Sequence, residues 1–314
     1  MQNAPAASAA FKTNPTVSAI FAAYLADRQS EFAYRKCKHP RALKISLAIP
    51  EKLWGEMAIE DFRRGSKARV KAAVQDWLAG GLKLATCRKR VTIMRAAFRF
   101  AVSEELIERG QEPVFELPPN SPPRERFVDP KDELKRLLVE ADSVRTPHHI
   151  RTAFYVLLIS GVRRGALLDL QWQHVDFENR VIRFRDTEAP EDRSKKRRVD
   201  QPMNDFLFTL LDNTRERSTC DYVIEWNGKR CKTIYPALKR MFKRAGMPDL
   251  RIHDLRRSSA TYVYRELGDL SKAANHIGDT EKMAEQVYVQ KTAAQNLAGI
   301  DASTATIERA RAAV

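Results

Sequence analysis

The sequence is short of the features that mark metal sites, disulfide frameworks and membrane spans. It has four cysteines and six histidines, and the cysteines are scattered without Cys-x-x-Cys spacing, so neither a zinc site nor a disulfide framework is indicated. No stretch approaches the roughly 20 consecutive apolar residues of a membrane-spanning helix. No carboxylate cluster of the kind that holds two catalytic ions is present either. We therefore expect a protein of the reducing cytosol with no metal.

Positive charge is what the chain has in excess. Its 55 lysines and arginines against 40 acidic residues give a formal net charge of +15 and an isoelectric point near 9.8. A surface with that balance carries a strong positive potential and attracts polyanions. Because no membrane span is indicated, nucleic acid is the expected partner.

A proline-rich stretch divides the 314 residues into two expected domains. Residues 1–15 have neither a charged start nor a continuous apolar run, and we expect a flexible leader there. Residues 16–112 predict a helical DNA-binding domain. The prolines of residues 113–130 forbid a continuous helix and favour an extended linker. Residues 131–314 form the second expected domain, with a C-terminal tail.

The first domain contains three amphipathic helical patterns. One begins near residue 16, and a second is "SKARVKAAVQDWLAGG". The third, "LATCRKRVTIMRAAFRFAVSEELIERG", has an apolar face and a basic face. The inward residues are predicted to be Val91, Ile93, Met94, Ala97, Phe98 and Ala101. The outward residues, which are candidate DNA contacts or simply a solvated face, are Arg88, Lys89, Arg90, Arg95 and Arg99.

The second domain mixes helical and strand patterns. "DELKRLLVEAD", "HHIRTAFYVLLISG" and "IYPALKRMFKRAGMPD" predict helices, another opens at His253, and "STATIERARAAV" predicts a terminal one. "RVIRFRD" alternates in the manner of a strand, with "RRVDQP" as its partner and "CDYVIEWNGK" as a third strand. The polar stretch "TEAPEDRSKK" connects the first two strands. The expected fold is mainly α with a small antiparallel sheet.

Two arginine-bearing helix starts, "SGVRRGALLDLQW" and "HDLRRSSATY", indicate phosphodiester chemistry. An arginine fork binds two phosphate oxygens and keeps its proton, so two forks can clamp one phosphodiester and neutralise its transition state. His253 lies one helical turn from Arg256 and can hydrogen-bond the phosphate or move a proton. Arg257, close by, is a further candidate DNA contact. A tyrosine hydroxyl could be the covalent nucleophile. Lys195 or Lys196, in the polar connection, could protonate the leaving oxygen.

These motifs resemble those of the tyrosine recombinase, or phage integrase, family. The family's first box is approximately Thr-Gly-x-Arg followed by Leu-x-Trp, the second is His-x-Leu-Arg, and the last is Leu-Gly-His followed by a tyrosine. The matching residues here are Ser160, Gly161, Val162, Arg163, Leu170 and Trp172 for the first box, His253, Asp254, Leu255 and Arg256 for the second, and Ile277, Gly278, Asp279 and Tyr288 for the last.

The resemblance implies a site-specific DNA recombinase that needs no cofactor. It implies a helical core-binding domain and a mixed α/β catalytic domain that form a clamp around duplex DNA. Arg163 and Arg256 would be catalytic, and Tyr288 would attack the phosphate to give a 3′-phosphotyrosine. A bacterial or phage-encoded protein of the cytoplasm and nucleoid would act as a homotetramer on two DNA sites. Integration or excision of a mobile element, with accessory DNA-bending or excisionase-type proteins, would be its task.

Two positions depart from the family pattern. Asp279 stands where the family usually has a histidine or tryptophan donor, and a carboxylate there is expected to repel a phosphate. Ala166 stands where a glutamate is common. Two alternatives therefore stay open: a type IB topoisomerase, which shares the chemistry but works as a monomer, and a DNA-binding protein that keeps the fold without cleavage.

Overall fold

A computed structural model describes residues 14–29, 40–122, 124–187, 198–285 and 304. The chain divides into two compact units, Met1–Pro122 and Pro123–Val314, and the boundary falls inside the proline-rich stretch. Lys195, Lys196 and Tyr288 lie outside the described residues, as do residues 1–13 of the predicted leader and all but Thr304 of the predicted terminal helix.

The first unit is built from helices. They are α1 (Val17–Gln29), α2 (Pro40–Trp54), α3 (Ile59–Arg63), α4 (Ser66–Ala79) and α5 (Leu84–Ser103). Helices α1, α4 and α5 match the three predicted amphipathic patterns, while α2 and α3 were not predicted. The core of this unit is aromatic: Phe98 of α5 contacts Phe21 and Phe62 at ring-centroid distances of 5.9 Å, and Phe115 at 5.6 Å.

Helix α5 has the predicted division into an apolar and a basic face. The six residues predicted to point inward are all buried, at 8% exposure or less. This face packs against α1 and α2, and burial of each of its large side chains is worth about 1.5–3 kcal/mol. The basic residues therefore occupy the remaining face.

The helices of the second unit surround a separate core. They are α6 (Glu133–Ala141), α7 (His148–Ser160), α8 (Arg164–Asp169), α9 (Asp205–Arg215), α10 (Tyr235–Arg244), α11 (Ile252–Leu267), α12 (Leu270–Ile277) and the single turn α13 (Glu281–Met283). The predicted burial of α7 is confirmed, because most of its residues are inaccessible. Helix α7 packs against α9 and α11 and so lies at the centre of the unit.

A small antiparallel sheet completes the second unit. Its strands β1 (Val175–Asp176), β2 (Val181–Ile182) and β3 (Gln201–Pro202) lie in that order, with Ile182 opposite both Val175 and Gln201. The pairing of the two predicted strand segments is confirmed, although β2 is shorter than predicted because Phe184–Thr187 forms a 3-10 turn. The predicted fold class, mainly helical with a small antiparallel sheet, is confirmed.

The predicted third strand is wrong in its pairing. Strands β4 (Glu225–Trp226) and β5 (Lys229–Arg230) form a separate hairpin. Asn227 and Gly228 between them have φ of 52° and 69°, the conformation of a tight type I′ turn that folds a strand back on itself. That turn makes the segment pair locally, and the third strand of the sheet is β1.

The end of the proline-rich stretch is bonded to α11. The hydroxyl oxygen of Ser258 accepts a hydrogen bond from the backbone N–H of Val128 at 2.8 Å, and the Tyr262 hydroxyl donates to the Val128 carbonyl at 2.8 Å. Arg124 forms an ion pair with Asp254 at 3.2 Å. Residues 124–128 are thus part of the second unit.

Across the described part of the chain, no helix combines the length and apolarity that crossing a membrane requires.

Candidate active site

The two predicted arginines lie at neighbouring points of the second unit. Gly161 ends α7 with a left-handed φ of 59°, and two residues later Arg163 is the N-cap of α8. Arg256 lies in the first turns of α11, on its buried side. The Nη1 group of Arg256 donates to the carbonyl oxygens of Gly161, at 2.7 Å, and Ile277, at 2.6 Å. These bonds join the ends of α7 and α12 to α11.

Gly161 makes this close approach possible. A Cβ at Gly161 would lie 2.7 Å from Cγ2 of Ile277 and 3.1 Å from Oγ of Ser259. The position also has a backbone conformation that residues with a side chain rarely adopt. The glycine of the first motif therefore has a packing role that brings three helices to one point.

Asp279 is the residue on which both arginines converge. Its Oδ2 atom accepts a hydrogen bond from Nη2 of Arg163 at 2.9 Å and another from Nη2 of Arg256 at 3.0 Å. The side chain of Arg256 is 2% exposed, that of Asp279 14% and that of Arg163 26%. The sequence predicted that Asp279 would repel a phosphate, and it did not reveal that the carboxylate binds both arginines.

His253 is a neighbour of the same cluster. Burial lowers the pKa of His253 below the usual histidine value, and the positive charges of Arg256, Arg257 and Arg163 lower it further. These charges act on the imidazole because the groups lie close together. A lowered pKa makes His253 neutral near pH 7, so it can donate one hydrogen bond and accept another.

His276 is a structural neighbour of the site. Its Nε2 atom lies 2.9 Å from the Ile159 carbonyl oxygen and 2.9 Å from Oγ of Ser259. Because a carbonyl only accepts, Nε2 carries the proton. Burial lowers the pKa of His276. The imidazole joins α12 to the end of α7 and to α11.

Ala166 of α8, which stands where the family commonly has a glutamate, is buried at 3% exposure.

The predicted DNA contacts differ in their exposure. Arg257 is buried, at 4% exposure, which leaves little of it for contact with DNA. On α5, Lys89 and Arg99 are exposed and Arg88, Arg90 and Arg95 are half-buried.

Two of the half-buried arginines have partners within the first unit. Arg88 donates to the Pro118 carbonyl, and Arg90 lies over the Trp77 ring at 5.1 Å. Arg95 and Arg99, with Arg28 of α1, line a surface cavity of about 370 Å³. Arg28 was not predicted, because its place beside α5 depends on the packing of α1.

The arrangement is suited to binding one oxyanion. Two guanidinium groups present Nη2 donors to a single oxygen, and preorganised donors of this kind stabilise charge that develops on a phosphate. Within the described ranges, no three histidine, cysteine, aspartate or glutamate side chains are grouped so that they could hold a metal ion. Arg163 and Arg256 supply positive charge to an anion at this point.

Comparison with known proteins finds similarity to recombinases and integrases. The tyrosine recombinase XerA of Thermococcus kodakarensis is 27% identical over 210 residues, which are 64% of this chain and 69% of XerA. The Tn1549 transposon integrase, solved in complex with circular intermediate DNA, has a TM-score of 0.69 at 17% identity over 91% of this chain and 99% of its own. A lambda integrase tetramer bound to a Holliday junction has a TM-score of 0.67 at 15% identity, over 92% of this chain and 82% of its own.

At these identities the two solved structures establish the fold of the chain. The family is established by the sequence itself, which matches the phage integrase family over residues 128–295. That segment is more than half of the 314 residues and contains both arginines, His253 and Asp279. The chain therefore belongs to the phage integrase family of tyrosine-type site-specific recombinases.

Proposed function

We propose that this recombinase cleaves and rejoins DNA through a covalent bond to Tyr288. The tyrosine oxygen attacks the scissile phosphorus, the bond from phosphorus to the 5′ oxygen breaks, and a 3′-phosphotyrosine forms. A 5′-hydroxyl from another strand then reverses the step. The observation that carries this proposal is the convergence of Arg163 and Arg256 on one oxygen of Asp279, since a phosphodiester oxygen needs the same pair of donors.

Each of the other site residues has a role in this proposal. Arg163 and Arg256 neutralise the phosphate as it gains charge in the transition state. Neutral His253 hydrogen-bonds a phosphate oxygen or takes the tyrosine proton, in keeping with its lowered pKa. The leaving 5′ oxygen takes a proton from Lys195 or Lys196.

The substrate in this proposal is double-stranded DNA. The net charge of +15 and the arginine-lined cavity favour binding through phosphates. Residues 16–112 would be the core-binding domain, 113–130 the linker and 131–314 the catalytic domain. Exchange between two duplexes breaks four strands in all, so we propose a homotetramer, the state in which lambda integrase binds a Holliday junction.

The biological task proposed is integration or excision of a mobile element in the cytoplasm of a bacterium. Accessory DNA-bending or excisionase-type proteins would set the direction. One observation favours a second candidate, a DNA-binding protein that does not cleave: a carboxylate lies where the phosphate would bind.

A selection followed by strand exchange separates these functions. Duplexes that bind the protein are selected from a randomised pool, and two selected duplexes of different length are then incubated with it. We expect recombinant strands of new length. Relaxation of a supercoiled plasmid without exchange would indicate a topoisomerase, and binding without either product would indicate the non-cleaving protein.

A further inference from the structure

The Asp279 carboxylate occupies a point at which Arg163 and Arg256 both bind one oxygen. Its Oδ2 atom lies 2.9 Å from Nη2 of Arg163 and 3.0 Å from Nη2 of Arg256. A histidine or tryptophan at position 279, as is usual in the family, would leave the Nη2 groups of both arginines for the phosphate. In this protein the Asp279 carboxylate binds both Nη2 groups.

Arg256 does not need Asp279 to hold it in position. Its Nη1 group already donates to two backbone carbonyls, those of Gly161 and Ile277, and the side chain is 2% exposed. Nη1 therefore fixes the guanidinium to the protein frame, while Nη2 faces the anion position. A residue that only positioned Arg256 would be redundant with these carbonyls.

Asp279 itself is held by a turn at the end of α12. Gly278 has a left-handed φ of 67°, and the backbone N–H of Asp279 donates to the Ala274 carbonyl at 2.9 Å. The other carboxylate oxygen, Oδ1, accepts from the N–H of Thr280 at 3.2 Å. The backbone thus places the carboxylate, and rotation of the side chain alone would remove Oδ2 from the arginines.

We propose that Asp279 is an internal competitor for the phosphate, and that it sets the specificity of the arginine pair. The inference rests on the proposed function of that pair. Two oxyanions repel each other and cannot occupy the same position. A phosphate must therefore displace the carboxylate before it binds both Nη2 groups. An isolated anion binds weakly for that reason. A phosphate within duplex DNA gains further contacts elsewhere on the protein, and it alone displaces Asp279.

Inorganic sulfate is a suitable probe of this competition. Its affinity is measured by the shift in thermal unfolding as sodium sulfate replaces sodium chloride at constant ionic strength. Asp279→Asn keeps the size of the side chain and removes its charge, and we expect sulfate to bind about tenfold more tightly to this variant than to the unchanged protein. Asp279→Ser serves the same purpose if the asparagine variant does not fold.

Asp249→Asn is a matched control. Asp249 also pairs with two arginines, Arg124 at 3.3 Å and Arg126 at 3.1 Å. Those arginines keep other carboxylates when Asp249 is neutralised, namely Asp254 for Arg124 and Glu133 for Arg126. Sulfate affinity should therefore change less than about twofold. Arg163→Gln added to Asp279→Asn should abolish the gain.

The outcomes separate this inference from the proposed function. Unchanged sulfate affinity in Asp279→Asn overturns the competition, and weakened affinity overturns it in favour of a positioning role. Tighter sulfate binding without any covalent DNA adduct upholds the competition and contradicts the proposed cleavage. A covalent DNA adduct together with unchanged sulfate affinity upholds the proposed cleavage and contradicts the competition.

Discussion

Nη1 of Arg256 lies 2.7 Å from the carbonyl oxygen of Gly161, so the arginine of the second motif is bonded to the turn that leads to the arginine of the first. Motifs almost a hundred residues apart in sequence share one hydrogen bond. The geometry of the anion position therefore depends on the backbone of residues 160–163 as well as on the arginine side chains.

Gly161→Ala should destabilise the protein more than a comparable change at another left-handed glycine. Gly268, which ends α11, has φ of 66° and open space around it, so Gly268→Ala should cost only the backbone term of roughly 1–2 kcal/mol. Gly161→Ala also introduces a steric clash with Ile277, which should lower the free energy of unfolding by about 1–3 kcal/mol more. Thermal unfolding of both variants measures the difference, and equal melting temperatures would contradict the close packing.

Replacing each arginine by alanine should separate stability from catalysis. Arg256→Ala removes a buried partner of Asp279 and leaves two carbonyls without their donor, which should cost about 3 kcal/mol. Arg163→Ala removes a more exposed group, and the free energy of unfolding should fall by about 1 kcal/mol or less. Each should slow DNA cleavage about a hundredfold or more. Equal stability losses would contradict the structural role of Arg256.

The stability of the protein should fall as the pH decreases from 7.5 to 5.5. Burial lowers the pKa of His148, His149, His253 and His276 in the folded state. Unfolded histidines take up protons near the usual pKa of about 6.5, before the folded ones do. Protons therefore stabilise the unfolded state first, and the free energy of unfolding decreases.

Thermal unfolding at a series of pH values measures this effect. Carboxylates titrate mostly below the range, so the histidines dominate it. His276→Gln should make the dependence on pH shallower. A melting temperature that stays constant or rises toward pH 5.5 would contradict the lowered pKa values.

The arginines of the first unit should contribute to DNA affinity through phosphates. Arg95→Ala and Arg99→Ala should each weaken binding to all sequences alike and reduce the slope of log affinity against log salt by about 1. Lys71→Ala removes the same charge from an exposed residue of α4 that does not line the cavity, and its effect should be smaller. Equal effects of all three variants would indicate general attraction without a defined contact.

Helices with a regular apolar face could be predicted from the sequence. The six inward positions of α5 follow a helical period, and all six are buried, because burial of a stripe depends on local spacing. Helix α2 was missed because Pro40 begins it and Pro50 lies inside it, whereas proline usually ends a helical pattern. The predicted strand at residues 220–229 pairs differently from the prediction, because the Asn227-Gly228 turn folds it into its own hairpin.

The candidate site could be predicted only in part. Arg163, His253 and Arg256 can be selected as candidates because their motifs are local in sequence. The bond from Asp279 to both arginines was not found, since it depends on how the ends of α7, α11 and α12 meet. The structural role of His276 has the same origin, because its partner Ile159 lies on another helix.

Covalent capture of DNA is the most direct test of the account. The protein is incubated with a selected duplex that carries a nick beside the cleavage point, so that the released fragment diffuses away and the reaction cannot reverse. A denaturing gel should show protein joined to DNA, with the band absent in Tyr288→Phe and much reduced in Arg163→Ala. The same band in Tyr288→Phe, or no band on DNA that the protein binds, would contradict cleavage through Tyr288.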